Sequence, residues 1–126
     1  MTSIKPSKPT ESELEILQIL WDKGECTVRE VHDILDLNKN VGYTTTLKLM
    51  QIMDEKGLVC RDTTSKTHIY KAIVSKEQIQ QQMLDKMIDT VYNGSAARLV
   101  MQALGNHTSS KEEIDLIKKY LDQINK

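Results

Sequence analysis

Hydrophobic residues recur every three or four positions along most of the chain, which is the spacing of amphipathic helices. Thr10 and Glu13 have the spacing of a capping box at the start of the first run, and Gly24 is predicted to end it. Thr27 and Glu30 have the same spacing at the start of a second, shorter run. The pattern therefore predicts two consecutive helices in the first third of the chain.

The middle of the chain changes from a helical pattern to a strand pattern. A third helix is predicted over residues 43–56, and Gly57 ends it. Residues 58–61 and 68–71 are rich in strand-forming side chains and are joined by a polar loop, which predicts a β-hairpin. Helices followed by a hairpin indicate a winged helix-turn-helix, whose third helix enters a DNA groove while the hairpin, or wing, contacts the backbone.

Helical patterns return after Ser75, which has capping-box spacing with Gln78. Breaks are predicted at Asn93-Gly94 and at Gly105-Asn106, and Ser110 opens the last helix. Three amphipathic helices carry more apolar surface than so thin a layer can bury alone, so a second copy of the chain is the simplest partner. The predicted dimerisation surface is formed by Ile79, Met83, Met87, Val91, Leu99, Ile114, Ile117, Leu121 and Ile124.

These patterns predict a mainly α protein with a small β-hairpin, in which an N-terminal winged helix-turn-helix is followed by a C-terminal helical dimerisation region. Residues 1–9 contain two prolines and no apolar periodicity, so we expect a flexible arm. The winged-helix domain is expected to span residues 10–74, and the dimerisation domain residues 75–126. We expect Trp21 in the core between the first helix and the wing, and Thr46 packed inward.

Composition narrows the class of protein. No apolar run approaches the roughly 18 residues that span a bilayer, and the amino terminus lacks an apolar signal segment, so we expect a cytoplasmic protein without membrane insertion. Cys26 and Cys60 have no His or Cys at ligand spacing, so we expect free thiols and neither a metal nor a cofactor. His32, His68 and His107 are scattered, and no Ser-His-Asp set or Gly-rich phosphate loop is present. An enzyme is therefore not expected.

The net charge of -1 is low for a DNA-binding protein, because phosphate neutralisation needs clustered Lys and Arg. Within residues 38–71, however, six Lys or Arg residues stand against three Asp or Glu residues, which gives a local charge of +3. We therefore expect a positive face on an otherwise acidic protein.

The predicted third helix begins with three consecutive threonines, which are poor helix formers and cost roughly 0.5 kcal/mol each relative to Ala. Base contact in the major groove would explain them, since Thr hydroxyl and methyl groups and the Lys amine can all recognise base edges. The predicted groove residues are Tyr43, Thr44, Thr45 and Lys48. The predicted phosphate contacts are Lys39, Arg61, Lys66 and Thr67. The alternatives are an ordinary solvated helix face and a winged helix that binds another protein instead of DNA.

Several segments, taken in order, resemble the penicillinase-repressor family, which contains the beta-lactamase and methicillin-resistance repressors and the related copper-transport repressors. They are LEILQILW (residues 14–21), VGYTTTL (41–47), EKGLV (55–59), and YKA followed by VS (within 70–75). The resemblance runs from about Thr10 to the carboxyl terminus. Its later part, with YNG at 92–94, LV at 99–100 and the helix at 112–124, is similar to the family's dimerisation region.

The resemblance implies a homodimeric winged-helix repressor that binds palindromic operators, often upstream of a resistance operon. In the beta-lactam branch it also implies a membrane sensor metalloprotease, after whose action the repressor is cut within its dimerisation helices. The corresponding cleavage region here is Met101, Gln102 and Ala103, and Gln102-Ala103 stands where the known repressors carry an Asn-Phe bond. The carboxyl-terminal Cys pair of the copper repressors is absent from this sequence, so metal-controlled release is not expected.

Overall fold

The structure, a computed structural model, describes residues 8–125 as helices and a small sheet in two compact units. Unit 1 extends to Met83, and unit 2 starts at Leu84. The predicted class, mainly α with a small β-sheet, is confirmed. In chain order the elements are α1 (Glu11–Lys23), β1 (Cys26–Thr27), α2 (Val28–Leu35), α3 (Tyr43–Glu55), β2 (Val59–Asp62), β3 (Ile69–Ala72), α4 (Lys76–Thr90), α5 (Ala96–Asn106) and α6 (Lys111–Ile124).

The predicted arm, residues 1–9, lies largely outside the described residues, which begin at Lys8. Pro9 is buried, and the carbonyl oxygen of Lys8 accepts a hydrogen bond from Nζ of Lys56 at 3.2 Å. The two residues that directly precede the first helix cap therefore pack on unit 1.

Reciprocal side-chain caps start the first two helices, as the sequence predicts. The Thr10 hydroxyl accepts from the backbone N–H of Glu13 at 3.2 Å, and the Glu13 carboxylate accepts from the N–H of Thr10 at 3.0 Å. Thr27 and Glu30 make the same two bonds at 3.1 and 2.8 Å. Gly24 ends α1 with a φ of 83°, in the left-handed region that glycine adopts without steric cost.

The wing belongs to a three-stranded sheet, where the sequence predicted only a two-stranded hairpin. Strands β2 and β3 pair in antiparallel fashion, and β1 adds to the other edge of β3. In this third strand Cys26 pairs with Tyr70, and Thr27 pairs with Ile69. The pattern missed β1 because two residues directly before a helix show no alternation. Strand β1 ties the start of α2 to the wing.

The core of unit 1 lies between its helices and the sheet, and apolar side chains from every one of these elements contribute to it. Trp21 packs against this core and donates its Nε1–H to the carbonyl oxygen of Val74 at 2.9 Å, which agrees with its predicted core position. The fully buried apolar members are Ile16, Leu17, Val31, Met50, Met53, Leu58, Val59, Tyr70 and Ile79.

The first turns of α4 belong to this core and not to an exposed surface. Ile79 is only 1% exposed, and Met83 packs against the core of unit 1. This location corrects the assignment of both residues to the predicted dimerisation surface. The sequence did not separate them from Met87 and Val91 because the same four-residue repeat runs through the whole helix.

Unit 2 contains the last turns of α4 together with α5 and α6, and none of its described residues is buried. Asn93 and Gly94, with φ values of 50° and 84°, form the predicted break after α4. Helix α5 continues through Gly105, where its end was predicted, because one glycine inside a helix costs only about 1 kcal/mol. In the described part of the chain, no helix is both long enough and apolar enough to cross a membrane.

Glu13 combines its helix cap with a buried ion pair. Its carboxylate is only 3% exposed and lies 2.6 Å from Nζ of Lys56. Removing this side chain leaves an uncapped helix and a partly buried ammonium group without its counter-charge. We therefore expect Glu13→Ala to lower the free energy of unfolding by about 2–4 kcal/mol, measured by urea unfolding with Trp21 fluorescence.

Glu30→Ala is the matched control for that measurement. It removes the same kind of cap from α2 at an exposed site, where the described residues place no cation within ion-pair distance. Its expected cost is about 1 kcal/mol. Equal losses for the two variants would contradict a stabilising role for the pair between Glu13 and Lys56.

Candidate nucleic-acid interface

The first turns of α3 present one polar face to solvent. The exposed residues include all four predicted groove contacts, Tyr43, Thr44, Thr45 and Lys48. Thr46, Met50 and Met53 are buried on the opposite side of the helix. Because an α-helix repeats every 3.6 residues, this division fixes which side chains α3 can offer to a partner.

A buried polar contact joins α3 to α2 at the same level. Nδ1 of His32 lies 3.3 Å from the Thr46 hydroxyl, which in turn donates to the carbonyl oxygen of Gly42 at 3.4 Å. With that hydroxyl hydrogen used, the contact assigns the imidazole proton to Nδ1, so that His32 donates and Thr46 accepts. Both side chains are buried, and Thr46 is packed inward as the sequence predicts. The contact fixes the rotation of α3 relative to α2.

A groove of about 420 Å³ opens between α2, α3 and the wing. It brings together one predicted groove residue, Tyr43, and three predicted phosphate contacts, Arg61, Lys66 and Thr67. The other predicted residues lie elsewhere on unit 1: Thr44, Thr45 and Lys48 on the exposed side of α3, and Lys39 after the end of α2.

Two polar residues of this groove were not predicted. Gln51 lies one helical turn after Lys48, and extending the exposed face by that turn would have found it. Arg29 comes from α2, and its guanidinium carbon lies 4.4 Å from the centroid of the Tyr43 ring. No local pattern indicates this second contact, because it joins residues of different helices.

Half of the cations behind the predicted local charge of +3 form ion pairs within the chain. Nζ of Lys39 lies 2.5 Å from Glu15, Nζ of Lys56 lies 2.6 Å from Glu13, and Nε of Arg61 lies 3.8 Å from Asp54. The Lys56 pair is buried and structural. The other two pairs are exposed, and such pairs contribute little to stability. Lys39 and Arg61 can therefore exchange their carboxylates for phosphates at small cost.

Comparison with known proteins identifies the family. The family model described as "Penicillinase repressor" matches residues 9–123. The chain belongs to the penicillinase repressor family. This finding confirms the family predicted from the sequence motifs.

Curated relatives of this family member agree with the match. The methicillin resistance regulatory protein MecI of Staphylococcus aureus is 22% identical over 114 residues, covering 90% of this chain and 93% of that protein. A penicillinase repressor of Staphylococcus aureus is 20% identical over 115 residues, covering 91% of each. The transcriptional regulator BlaI of Mycobacterium tuberculosis is 27% identical over 85 residues, covering 66% of this chain and 62% of that protein.

The wing of this penicillinase repressor family member is shaped by local hydrogen bonds. The Asp62 carboxylate accepts from the backbone N–H of Thr64 at 2.9 Å and from its hydroxyl at 2.8 Å. Ser65 donates to the carbonyl oxygen of Thr67 at 2.8 Å. Such side-chain bonds to the backbone two residues away stabilise a turn. They hold exposed Lys66 at the tip of the wing.

The bonds from Thr64 lower the pKa of Asp62 below its ordinary value of 3.8. A carboxyl group with a lowered folded-state pKa stabilises the loop fully above its unfolded value, and that contribution is lost as pH falls through the folded value. We therefore expect the Thr64 amide resonance to stay in its folded position through pH 4 and to shift only in stronger acid, about one unit or more below that. A transition centred above 3.8 in an NMR titration would contradict the turn, and Asp62→Asn, which keeps the acceptor, should show no transition.

Proposed function

We propose that this chain represses transcription by binding a palindromic DNA operator as a homodimer. Membership of the penicillinase repressor family makes it a DNA-binding transcriptional repressor and not an enzyme. The observation that carries the finer proposal is the exposed face of α3 beside the groove that Arg61 and Lys66 line. A helix and a wing placed in this way can read one half-site.

In this proposal α3 lies in the major groove of the operator. The hydroxyl groups of Thr44 and Thr45 and the amine of Lys48 contact base edges, and Tyr43 lies where the helix enters the groove. Lys66 and Thr67 in the wing, with Arg61 at its base and Lys39 before α3, contact phosphates. Phosphate contacts set the position of the protein on the duplex, while α3 supplies the sequence preference.

The family match favours DNA over the alternative of a winged helix that docks on another protein. Near-neutral net charge was the argument for that alternative. It loses weight because carboxylates such as Glu13 are used in internal ion pairs, away from the exposed face of α3. Local charge, and not the sum over the chain, determines phosphate binding.

Unit 2 is the proposed dimerisation region, because its apolar side chains are exposed in a single chain. An apolar surface of this extent is typical of a protein interface. A second copy would bury the same residues on both chains around a two-fold axis and place two α3 helices about one turn of DNA apart. The proposed surface comprises Met87, Val91, Leu99, Ile114, Ile117, Leu121 and Ile124, with Leu116 and Tyr120 added from the structure.

The names of the relatives extend the proposal to the controlled genes. Two relatives are named for methicillin resistance and penicillinase repression, so we propose an operon of this resistance type. A membrane sensor protease is the proposed partner that ends repression, and the chain would act in the cytoplasm, where its DNA is.

The proposed cleavage region lies in α5. Met101 is 72% exposed, and Gln102 and Ala103 are exposed as well. A protease needs an extended backbone, and a helix without buried side chains opens at low free-energy cost. Cleavage in α5 would separate the pairing helices and leave each half with one half-site, which removes most of the avidity.

The groove contacts can be tested with a Thr45→Ala, Lys48→Ala double variant. It removes one base-edge hydroxyl and one cation, so we expect operator affinity to fall about 10- to 100-fold. The salt dependence should also weaken by about one counterion for each bound copy. Fluorescence anisotropy with a duplex from the chain's own upstream region measures both quantities over a range of salt.

Lys23→Ala is the control for that experiment, since Lys23 is an exposed cation at the end of α1 and away from α3. It should leave both affinity and salt slope unchanged. If the double variant also bound with unchanged affinity and slope, α3 would not be the reading helix.

The dimer can be tested with Leu121→Glu, which places a carboxylate on the proposed apolar surface. We expect a monomer in sedimentation equilibrium at micromolar concentration, and operator affinity about 100-fold lower or more because avidity is lost. Trp21 is the sole tryptophan and reports that unit 1 stays folded. Lys119→Glu on the other side of α6 should remain dimeric. A dimer that survives Leu121→Glu would contradict this surface.

A further inference from the structure

Arg29 and Tyr43 form a stacked pair at the mouth of the groove. The guanidinium carbon lies 4.4 Å from the ring centroid, within the range of a cation–π contact. The Tyr43 ring also meets the His32 ring edge-on, with centroids 5.6 Å apart and planes at 77°. Since His32 is hydrogen-bonded to Thr46, a continuous series of side chains holds the guanidinium against the start of α3.

The position of Arg29 does not favour stability. It is the second residue of α2, where the helix dipole disfavours a positive charge. Its pair with Asp33 is 4.0 Å long, and both side chains are about two-thirds exposed, at 64% and 66%. Such a pair contributes little. The cation therefore has no evident stabilising role at this site.

The groove in front of Arg29 concentrates positive charge. Arg29 lines it from α2, and Arg61 and Lys66 line it from the wing. Among the described residues that line this groove there is no Asp or Glu. Three cations around one opening repel each other, and an anion bound between them would offset that repulsion.

Stacking leaves the right part of the guanidinium available to such an anion. The contact with Tyr43 uses the flat face, while the N–H donors point outward in the plane and match the geometry of two phosphate oxygens. Lys66 would contact the same strand as a point charge from the opposite side of the groove.

Resting on the proposed function, we propose that Arg29 and Tyr43 act as one phosphate-binding unit. The Tyr43 ring orients the guanidinium, and Arg29 grips a phosphate of the DNA backbone opposite Lys66. This assigns Arg29 as an additional DNA contact and gives Tyr43 a positioning role beside its place on α3.

The test uses the full chain and two probes, a random-sequence 30-base-pair duplex at low salt and a duplex from the chain's own upstream region. Arg29→Ala should weaken binding to both duplexes about ten-fold for each bound copy, and reduce the salt slope by about one for each copy. Arg29→Lys keeps the charge but not the planar fork, so it should restore the slope but only part of the affinity. The unfolding midpoint of Arg29→Ala should not fall.

Variants of Tyr43 test whether the two side chains act together. On the random duplex, where base reading contributes least, Tyr43→Phe keeps the ring and should bind like the wild type. Tyr43→Leu should bind almost as weakly as Arg29→Ala, and the double variant should bind no more weakly than Arg29→Ala alone. Lys66→Ala is the positive control and Lys23→Ala the negative control.

The outcomes separate the two proposals. If the wild type bound neither duplex, the proposed function itself would fail. If the wild type bound and Lys66→Ala weakened it, but Arg29→Ala left affinity and slope unchanged, the unit would be overturned while the function stood. A fully wild-type Arg29→Lys protein, or additive effects of Arg29→Ala and Tyr43→Leu, would also overturn the unit, because a point charge without stacking would then suffice.

Discussion

The rotation of α3 about its own axis is the constraint on which the rest of the interface depends. Met50 and Met53 bury one side of the helix, but apolar burial alone tolerates small rotations and shifts. The hydrogen bond between His32 and Thr46 is stricter, because a buried hydroxyl or imidazole that loses its partner costs about 1–3 kcal/mol. This one polar contact therefore determines which threonines face outward, and it also sets the ring against which Tyr43 rests.

The same economy applies to charge. A buried carboxylate holds Lys56 in place for folding, whereas Lys39 and Arg61 sit in exposed pairs that solvent screens. The exposed pairs keep these side chains near the interface without committing them to it. Arg29 and Lys66, on opposite sides of the groove, face no carboxylate among its described lining residues. The interface is thus prepared by placement of a few cations and not by a large net charge.

Sequence alone predicts the features that are encoded locally. The capping pairs at Thr10 and Thr27 and the break at Gly94 depend on residues within one turn of each other, and each lies where predicted. The prediction fails where the deciding neighbour is distant. The strand at Cys26 exists only because β3 pairs with it, and Ile79 is buried only because α4 packs on unit 1.

Charge is subject to the same limit, since pairs such as Lys56 with Glu13 join residues far apart in the chain and reduce what a local sum of charges promises. One consequence concerns the amount of protein in the cell. A copy with few cations to spare holds DNA weakly, so occupancy of a two-copy site varies with the square of the concentration of unpaired chain. Halving that concentration lowers occupancy about four-fold in the dilute limit. The ion pairs inside the fold would therefore help to make repression respond steeply to the supply of repressor.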